Sequence, residues 1–131
     1  MLSTTTEHAL RALVHLARLP GGGPILGREL AKRTQVPANY LSKILWTLRN
    51  AGYVETTRGH GGGYRLSRAS HRIKLIDIAE LFEGSRSKPG CLIGEKYDCT
   101  DHSFCSAHAQ WKEVKRSYSV FLESNTIADI A

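Results

Sequence analysis

The feature that most constrains this chain is a glycine-rich stretch lying between two β-prone runs. Residues 53–57 and 63–67 are the two runs, and Arg58-Gly59-His60-Gly61-Gly62 joins them. Short β-prone runs around a glycine-containing tip predict an antiparallel hairpin. Two amphipathic segments precede the hairpin, and the order helix, turn, helix, hairpin predicts a winged helix-turn-helix domain.

Helical periodicity predicts most of the remaining chain. Predicted helices cover residues 5–19, 27–34, 38–50, 75–82 and 106–124. The last helix holds apolar residues with the spacing of a coiled-coil seam: Trp111, Val114, Tyr118 and Phe121. We therefore expect a mostly α fold with a small β wing. Its predicted divisions are a winged helix-turn-helix domain (1–84), a cysteine-bearing sensor loop (85–105), and a dimerisation helix with its tail (106–131).

Length and charge narrow the class of protein. A chain of 131 residues makes one domain with at most an oligomerisation appendage. No apolar stretch approaches the roughly 20 residues of a membrane span, and the first residues show no signal peptide, so we expect a cytoplasmic protein. The net charge is +6, and residues 28–74 contain ten Lys or Arg against two Asp or Glu. Such a basic segment favours a polyanionic partner.

The segment 38–50 is predicted to be the recognition helix of a double-stranded DNA-binding protein. Asn, Lys and Arg can read purine edges, whereas Ser, Thr and Tyr suit phosphate oxygens. At the hairpin tip Arg58 can enter the minor groove, and the neighbouring glycines allow close approach to phosphate. The predicted DNA-binding residues are Asn39, Tyr40, Ser42, Lys43, Arg49, Arg58, Gly59 and His60. Trp46 lies on the same off-core face, but we expect it to pack against the first helix or a partner subunit.

Three stretches of this region resemble a known family. They run from Pro37 to Leu45, from Leu48 to Val54 and from Arg58 to Leu66, and the last has the sequence RGHGGGYRL. Over essentially its whole length the chain resembles the IscR/NsrR/RirA family, winged-helix regulators of the Rrf-two superfamily. The resemblance implies a homodimer, crossed at its long C-terminal helices, that binds a pseudo-palindromic operator. We expect such a protein to act as a repressor.

Three cysteines lie after the predicted winged domain. Cys91, Cys99, Cys105 and His108 have the spacing C-x7-C-x5-C-x2-H, and the chain has no other cysteine. Thiolates are strong ligands for zinc and for iron–sulphur clusters, and imidazole binds both. The family resemblance implies a 2Fe–2S or 4Fe–4S cluster. It also implies two alternative fourth ligands, His108 of the same chain and Glu7 of the partner subunit, and the spacing does not decide between them.

Other interpretations of these cysteines stay open. The same residues fit a zinc site, since their spacing is one residue short of the CCCH zinc-finger pattern, and two of the thiols can form a redox pair. We favour a cluster, because such fingers are usually flanked by aromatic and basic residues, whereas this loop has one Tyr and one Phe and is acidic between Glu95 and Asp101. We do not expect an enzyme, because the chain has no second cleft-forming domain and no nucleotide-binding glycine loop leading into a helix.

Overall fold

The computed structural model describes residues 2–84, 89–92 and 106–131. Its helices are α1 (Thr4–Ala17), α2 (Gly27–Thr34), α3 (Ala38–Asn50), α4 (Leu75–Glu83), α5 (His108–Ser124) and α6 (Ile127–Ile130). Its strands are β1 (Val54–Thr57) and β2 (Gly63–Leu66), and single 3-10 turns lie at Pro20–Gly22 and Ser70–Arg72. The expected mostly α fold with a small β wing is confirmed. None of the described helices is long and apolar enough to cross a membrane.

A residue with a left-handed backbone conformation follows each helix of the helix-turn-helix. Gln35 follows α2 with a φ of 58°, and the next backbone N–H, that of Val36, donates to the carbonyl of Ala31 at 3.1 Å. Gly52 follows α3 with a φ of 87°. Such residues satisfy the last carbonyls of a helix and turn the chain away from its axis. α2 and α3 accordingly have the bounds that the sequence predicts.

One hydrophobic core joins α1–α4 to the wing. Its largest fully buried apolar side chains are Leu13, Leu16, Leu30, Leu41, Leu45, Leu48, Ile73, Ile78 and Ile127. The stripe of α3 that faces this core consists of Leu41, Ile44, Leu45 and Leu48. Burying a side chain of this size stabilises the fold by roughly 1.5–3 kcal/mol relative to leaving it exposed. The core therefore fixes which face of α3 stays outside.

The wing is an antiparallel hairpin with a third partner. β1 pairs with β2 in the register Val54↔Leu66, Glu55↔Arg65, Thr56↔Tyr64 and Thr57↔Gly63. Ile25, in the connection before α2, forms an isolated antiparallel bridge with Tyr64, with backbone N–O distances of 3.0 and 2.7 Å. The sequence patterns do not predict this bridge. It holds the hairpin beside the start of α2.

The end of the chain returns to the winged domain. The backbone N–H of Leu75 donates to the carbonyl of Asn125 at 3.0 Å, and that of Ile127 donates to the carbonyl of Ile73 at 2.9 Å. The short helix α6, which the sequence patterns also do not predict, begins here with a capping box between Thr126 and Asp129. These contacts anchor the C-terminal end of α5 to the core.

Candidate nucleic-acid interface and cysteine segment

The outer face of α3 presents the side chains predicted to bind DNA. Asn39, Tyr40, Ser42, Lys43 and Arg49 are all exposed. The helix contains Lys43 and Arg49 and no acidic residue, so its outer face has a net positive charge. The hydroxyl of Ser42 donates to the carbonyl of Ala38 at 2.9 Å, which leaves its oxygen lone pairs facing outward as acceptors.

The tip of the wing presents the other three predicted residues. Arg58, Gly59 and His60 are exposed at the far end of the hairpin. The tip closes through a hydrogen bond from the backbone N–H of Gly62 to the carbonyl of Gly59 at 3.0 Å. A Cβ at Gly62 would lie 2.1 Å from the carbonyl oxygen of Thr57, so this turn requires a glycine. The glycines thus shape the tip that carries Arg58.

The remaining arginines of the wing have partners within the fold. Arg65 forms an ion pair with Glu55 across the strands at 2.5 Å. The guanidinium of Arg68 lies 4.6 Å from the ring centroid of Tyr53 and donates to the carbonyl of Gly52 at 3.2 Å. In the part of the chain that the structure describes, Arg58 has no ion-pair partner. The Arg58 guanidinium is therefore available to bind an anionic ligand.

A basic groove that the site prediction missed lies between α2 and the wing. It has a volume of about 620 Å³ and is lined by Pro24, Ile25, Leu26, Arg28, Glu29, Lys32, Gly61 and Gly62. Glu29 is paired with Arg33 at 3.3 Å, so the cations facing the groove are Arg28 and Lys32. The signal that could have found them is their place at the start of the basic segment 28–74.

The cysteine segment comprises residues 85–108, of which the structure describes 89–92 and 106–108. Cys91 is a half-buried free thiol, and Cys99 and Cys105 lie outside the described residues. His108 is the first residue of α5 and is 8% exposed. Nearby, the indole Nε1 of Trp111 donates to the carbonyl of Gly90 at 2.8 Å, which ties α5 to the residue before Cys91.

The donor chemistry of this segment fits an iron–sulphur cluster or zinc. Its three cysteine thiols and the imidazole of His108 are ligand types that both groups accept. The described residues alone hold no group of three His, Cys, Asp or Glu side chains placed to bind a metal. The alternative ligand Glu7 is exposed in the first turn of α1, where the helix dipole favours an acid.

A carboxylate joins the C-terminal end of α4 to the start of α1. Glu83, the last residue of α4, accepts hydrogen bonds from the backbone N–H of Ser3 and, at 2.8 Å, from the hydroxyl of Thr6. Burial raises the pKa of Glu83, but the hydrogen bonds from Ser3 and Thr6 outweigh burial and hold that pKa below its ordinary value. Burial, and then the negative charge of Glu83, raise the pKa of Tyr118 on α5.

Three comparisons with known proteins point to the same family. Residues 2–131 match the Rrf2 family, described as iron-dependent transcriptional regulators. The regulator NsrR of Bacillus licheniformis is 29% identical, over 98% of this chain and 90% of its own. The solved structure of IscR from T. potens is 32% identical, with a TM-score of 0.74 over 99% of this chain and 85% of that one. CymR, the global cysteine regulator of B. subtilis, is 27% identical, with a TM-score of 0.80 over 100% of this chain and 95% of that one.

Proposed function

Because the chain belongs to the Rrf2 family of transcriptional regulators, we propose that it represses transcription by binding an operator under the control of an iron–sulphur cluster. The observation that carries the proposal is the placement of eight exposed residues. Asn39, Tyr40, Ser42, Lys43 and Arg49 lie on the outer face of α3, and Arg58, Gly59 and His60 lie at the wing tip. A helix and a basic loop presented together suit a major groove and the minor groove beside it.

We propose that contacts to DNA phosphates supply most of the affinity and that side chains of α3 determine which base sequence is bound. Arg28 and Lys32 line the groove next to the wing and suit phosphate oxygens of the DNA backbone. Asn39, Lys43 and Arg49 are the side chains suited to purine edges in the major groove. Each cation that neutralises a phosphate releases counterions, so binding should weaken steeply with salt.

We propose that the active species is a homodimer held by α5. Val114 and Phe121, two members of the predicted seam, are exposed, whereas Tyr118 packs against the core. A second copy laid along the same face would cover these apolar side chains. Two α3 helices related by a two-fold axis would then read a pseudo-palindromic operator with half-sites about one helical turn apart.

We propose that Cys91, Cys99 and Cys105 hold the cluster, with His108 or Glu7 of the partner subunit as fourth ligand. The cluster, when bound, supplies a redox-active and oxidation-sensitive cross-link between the thiolates. Cys91 follows the residue whose carbonyl binds Trp111 of α5. A change in the order of this segment would therefore reach α5 and, through it, the relation between the two DNA-reading halves of the dimer.

The test compares cluster-loaded and cluster-free protein under anaerobic conditions. The probe is a duplex that the loaded protein selects from a random-sequence pool, and affinities are measured at matched salt. We expect the two forms to bind this duplex with different affinity, and Cys99→Ala to lose iron and sulphide while keeping its helical content. Equal affinity of the two forms would refute cluster control, and full iron and sulphide in Cys99→Ala would exclude that ligand.

A zinc or thiol-redox sensor on the same fold is the second candidate. The observation in its favour is the half-buried free thiol of Cys91, beside a donor set that zinc also accepts. Anaerobically purified protein separates the candidates by its spectrum. A cluster gives charge-transfer absorption in the visible range, whereas zinc and free thiols give none.

A further inference from the structure

Trp46 is the most exposed large hydrophobic side chain among the described residues, at 64%. The sequence analysis expected Trp46 to pack against the first helix or against a partner subunit. Its exposure contradicts the first alternative and does not test the second. Its position on α3 explains the exposure, because the buried stripe Leu41, Ile44, Leu45 and Leu48 lies on the opposite side of the helix. Helical spacing predicts this face, but it does not reveal whether another part of the fold covers it.

The surroundings of Trp46 are polar and positive. Ser42, Lys43 and Thr47 line a shallow concave surface of about 500 Å³ together with the indole. Lys43 lies three residues before Trp46 and Arg49 three residues after it, so both lie beside the indole on the helix surface. The whole of α3 has no acidic residue. An exposed apolar group among cations suits a partner that is negatively charged and has apolar features of its own.

These surroundings favour DNA over a second copy of the chain. Two α3 helices meeting around their two-fold axis would bring Lys43 and Arg49 of each copy against the same cations, with no acid on either helix to offset them. The exposed apolar residues of α5, Val114 and Phe121, offer a separate surface for dimerisation. In the major groove, the apolar feature of the base edges is the C5-methyl group of thymine.

We propose that Trp46 reads a thymine methyl group in the major groove of the operator half-site. The inference rests on the proposed DNA-binding function and adds a residue to the specificity-determining face of α3. The indole ring covers the methyl group, while Lys43 and Arg49 supply the charge that draws the helix into the groove. A cytosine at this position lacks the methyl group, so Trp46 discriminates between the two pyrimidines.

The test removes the methyl group and the indole separately and together. The probe is the duplex that the wild-type protein selects from a random pool, with each thymine replaced in turn by deoxyuridine. We expect wild-type protein to bind one such duplex about fourfold more weakly, which is the effect of exposing one methylene-sized group. Trp46→Ala should bind the unmodified duplex more weakly than wild type and be indifferent to deoxyuridine at that position. Val120→Ala is the control, because it truncates an exposed apolar side chain that lies outside both α3 and the proposed dimer contact, and it should keep the wild-type sensitivity.

Each other outcome overturns the inference, and the outcomes differ in what else they overturn. Undiminished sensitivity of Trp46→Ala at that position, or no sensitive thymine in wild type, refutes methyl recognition while leaving DNA binding intact. Sedimentation velocity that shows Trp46→Ala dissociating to monomers assigns the indole to a partner subunit. Failure of the wild-type protein to select any sequence refutes the proposed function as well. Circular dichroism of each variant, with Trp46→Phe as the conservative substitution, separates these results from misfolding.

Discussion

Three arginines of the wing region carry the same charge in different surroundings. Arg65 is paired with Glu55, and Arg68 lies against the Tyr53 ring. Arg58 is exposed at the tip and has no such ion-pair partner among the described residues. A guanidinium already engaged within the fold gains less from a new phosphate or base contact than one that is not. The structure therefore ranks residues that composition alone treats as equal.

This ranking predicts different effects for two otherwise matched substitutions. We expect Arg58→Ala to weaken operator binding by about 1–3 kcal/mol if the side chain reads bases, and to reduce the salt slope by about one if it touches only phosphate. Arg65→Ala removes the same charge from the same wing and should weaken binding less, because the Arg65 guanidinium is already paired with Glu55. Titrations at several salt concentrations measure both quantities. Equal losses in the two variants would show that only the overall charge of the wing matters.

Glu83 carries a second prediction at the residue scale. Its pKa is lowered in the folded protein by the hydrogen bonds from Ser3 and Thr6 that outweigh burial. A lowered folded pKa means that the carboxylate stabilises the fold above the unfolded Glu pKa, roughly 4.3. That stabilisation is lost as the pH falls through the folded pKa. We expect Glu83→Gln to lower the free energy of unfolding by about 1 kcal/mol at neutral pH, since the amide keeps an acceptor oxygen but no charge.

The measurement is urea unfolding of both proteins between neutral pH and about pH 3, well below the ordinary Glu pKa. The difference between wild type and Glu83→Gln should narrow toward the acid end, because wild-type Glu83 becomes protonated there. Glu80→Gln is the matched control, since Glu80 is exposed on the same helix. A constant difference across the whole pH range would show that the Glu83 charge contributes nothing.

At the scale of elements, the wing depends on one close backbone approach. Gly63 begins β2 with a φ of 149°, and a Cβ there would lie 2.1 Å from the carbonyl oxygen of Ile25. That carbonyl accepts the backbone N–H of Tyr64 at 2.7 Å. Any side chain at Gly63 must therefore push the hairpin away from the connection before α2. The bridge and the glycine form one structural unit.

We expect Gly63→Ala to destabilise the fold by about 3 kcal/mol, which combines a disfavoured φ with overpacking. Gly61→Ala is the control, because Gly61 has a φ of 79° but open space around its Cβ position. The control should cost about 1 kcal/mol from backbone strain alone. Urea unfolding measures the stabilities. A cost for Gly63→Ala no larger than that of the control would show that the bridge to Ile25 is dispensable.

Comparison of these elements with the sequence predictions shows what periodicity captures. The bounds of α2 and α3 are confirmed because each combines an apolar stripe with a local stop signal, Val36-Pro37 after α2 and Gly52 after α3. The bridge from Ile25 to Tyr64 has no local signal, since its partners are brought together only by the packed domain. The helix α6 does have one, the capping pair Thr126 and Asp129, which helical periodicity overlooks in so short an element.

The candidate site divides in the same way. Spacing on α3 predicts which side chains face outward, and Asn39, Lys43 and Arg49 do so. Helical spacing cannot distinguish a face that another helix covers from one that stays exposed. For this reason the sequence did not reveal that Trp46 stays exposed instead of packing against the first helix. The partners of Arg65 and Arg68 also depend on strand register and on the turn after α3. These pairings decide which cations remain for DNA.

At the scale of the whole molecule, the cysteine segment lies between two fixed points. It begins after α4, whose last residue Glu83 holds the start of α1 by hydrogen bonds. It leads into α5, where Trp111 binds the carbonyl of Gly90. In our proposal the state of this segment is therefore transmitted to the DNA-binding domain and the dimerisation helix together. The proposed homodimer would turn a small change in one chain into a change in the spacing of two recognition helices.

The proposed dimer predicts different outcomes for substitutions at two valines of α5. Val114 and Val120 are 48% and 51% exposed, so neither is needed by the core of a single chain. They point about 120° apart around the helix, whereas Val114 and Phe121 share one face. A charge placed in a two-fold contact would be buried against its own copy. We therefore expect Val114→Glu to convert the dimer to monomers, and Val120→Glu to leave it intact.

Sedimentation velocity at micromolar concentration measures the oligomeric state, and circular dichroism checks that each variant keeps its helices. Monomeric Val114→Glu should also bind the operator with much lower affinity, because a single chain contacts one half-site and loses the gain from linking the two. A dimer that survives Val114→Glu but not Val120→Glu would place the interface on the other face of α5. If both variants remained dimers, the two-fold contact would have to lie outside these two faces of α5. The two recognition helices would then be arranged differently on a palindromic operator.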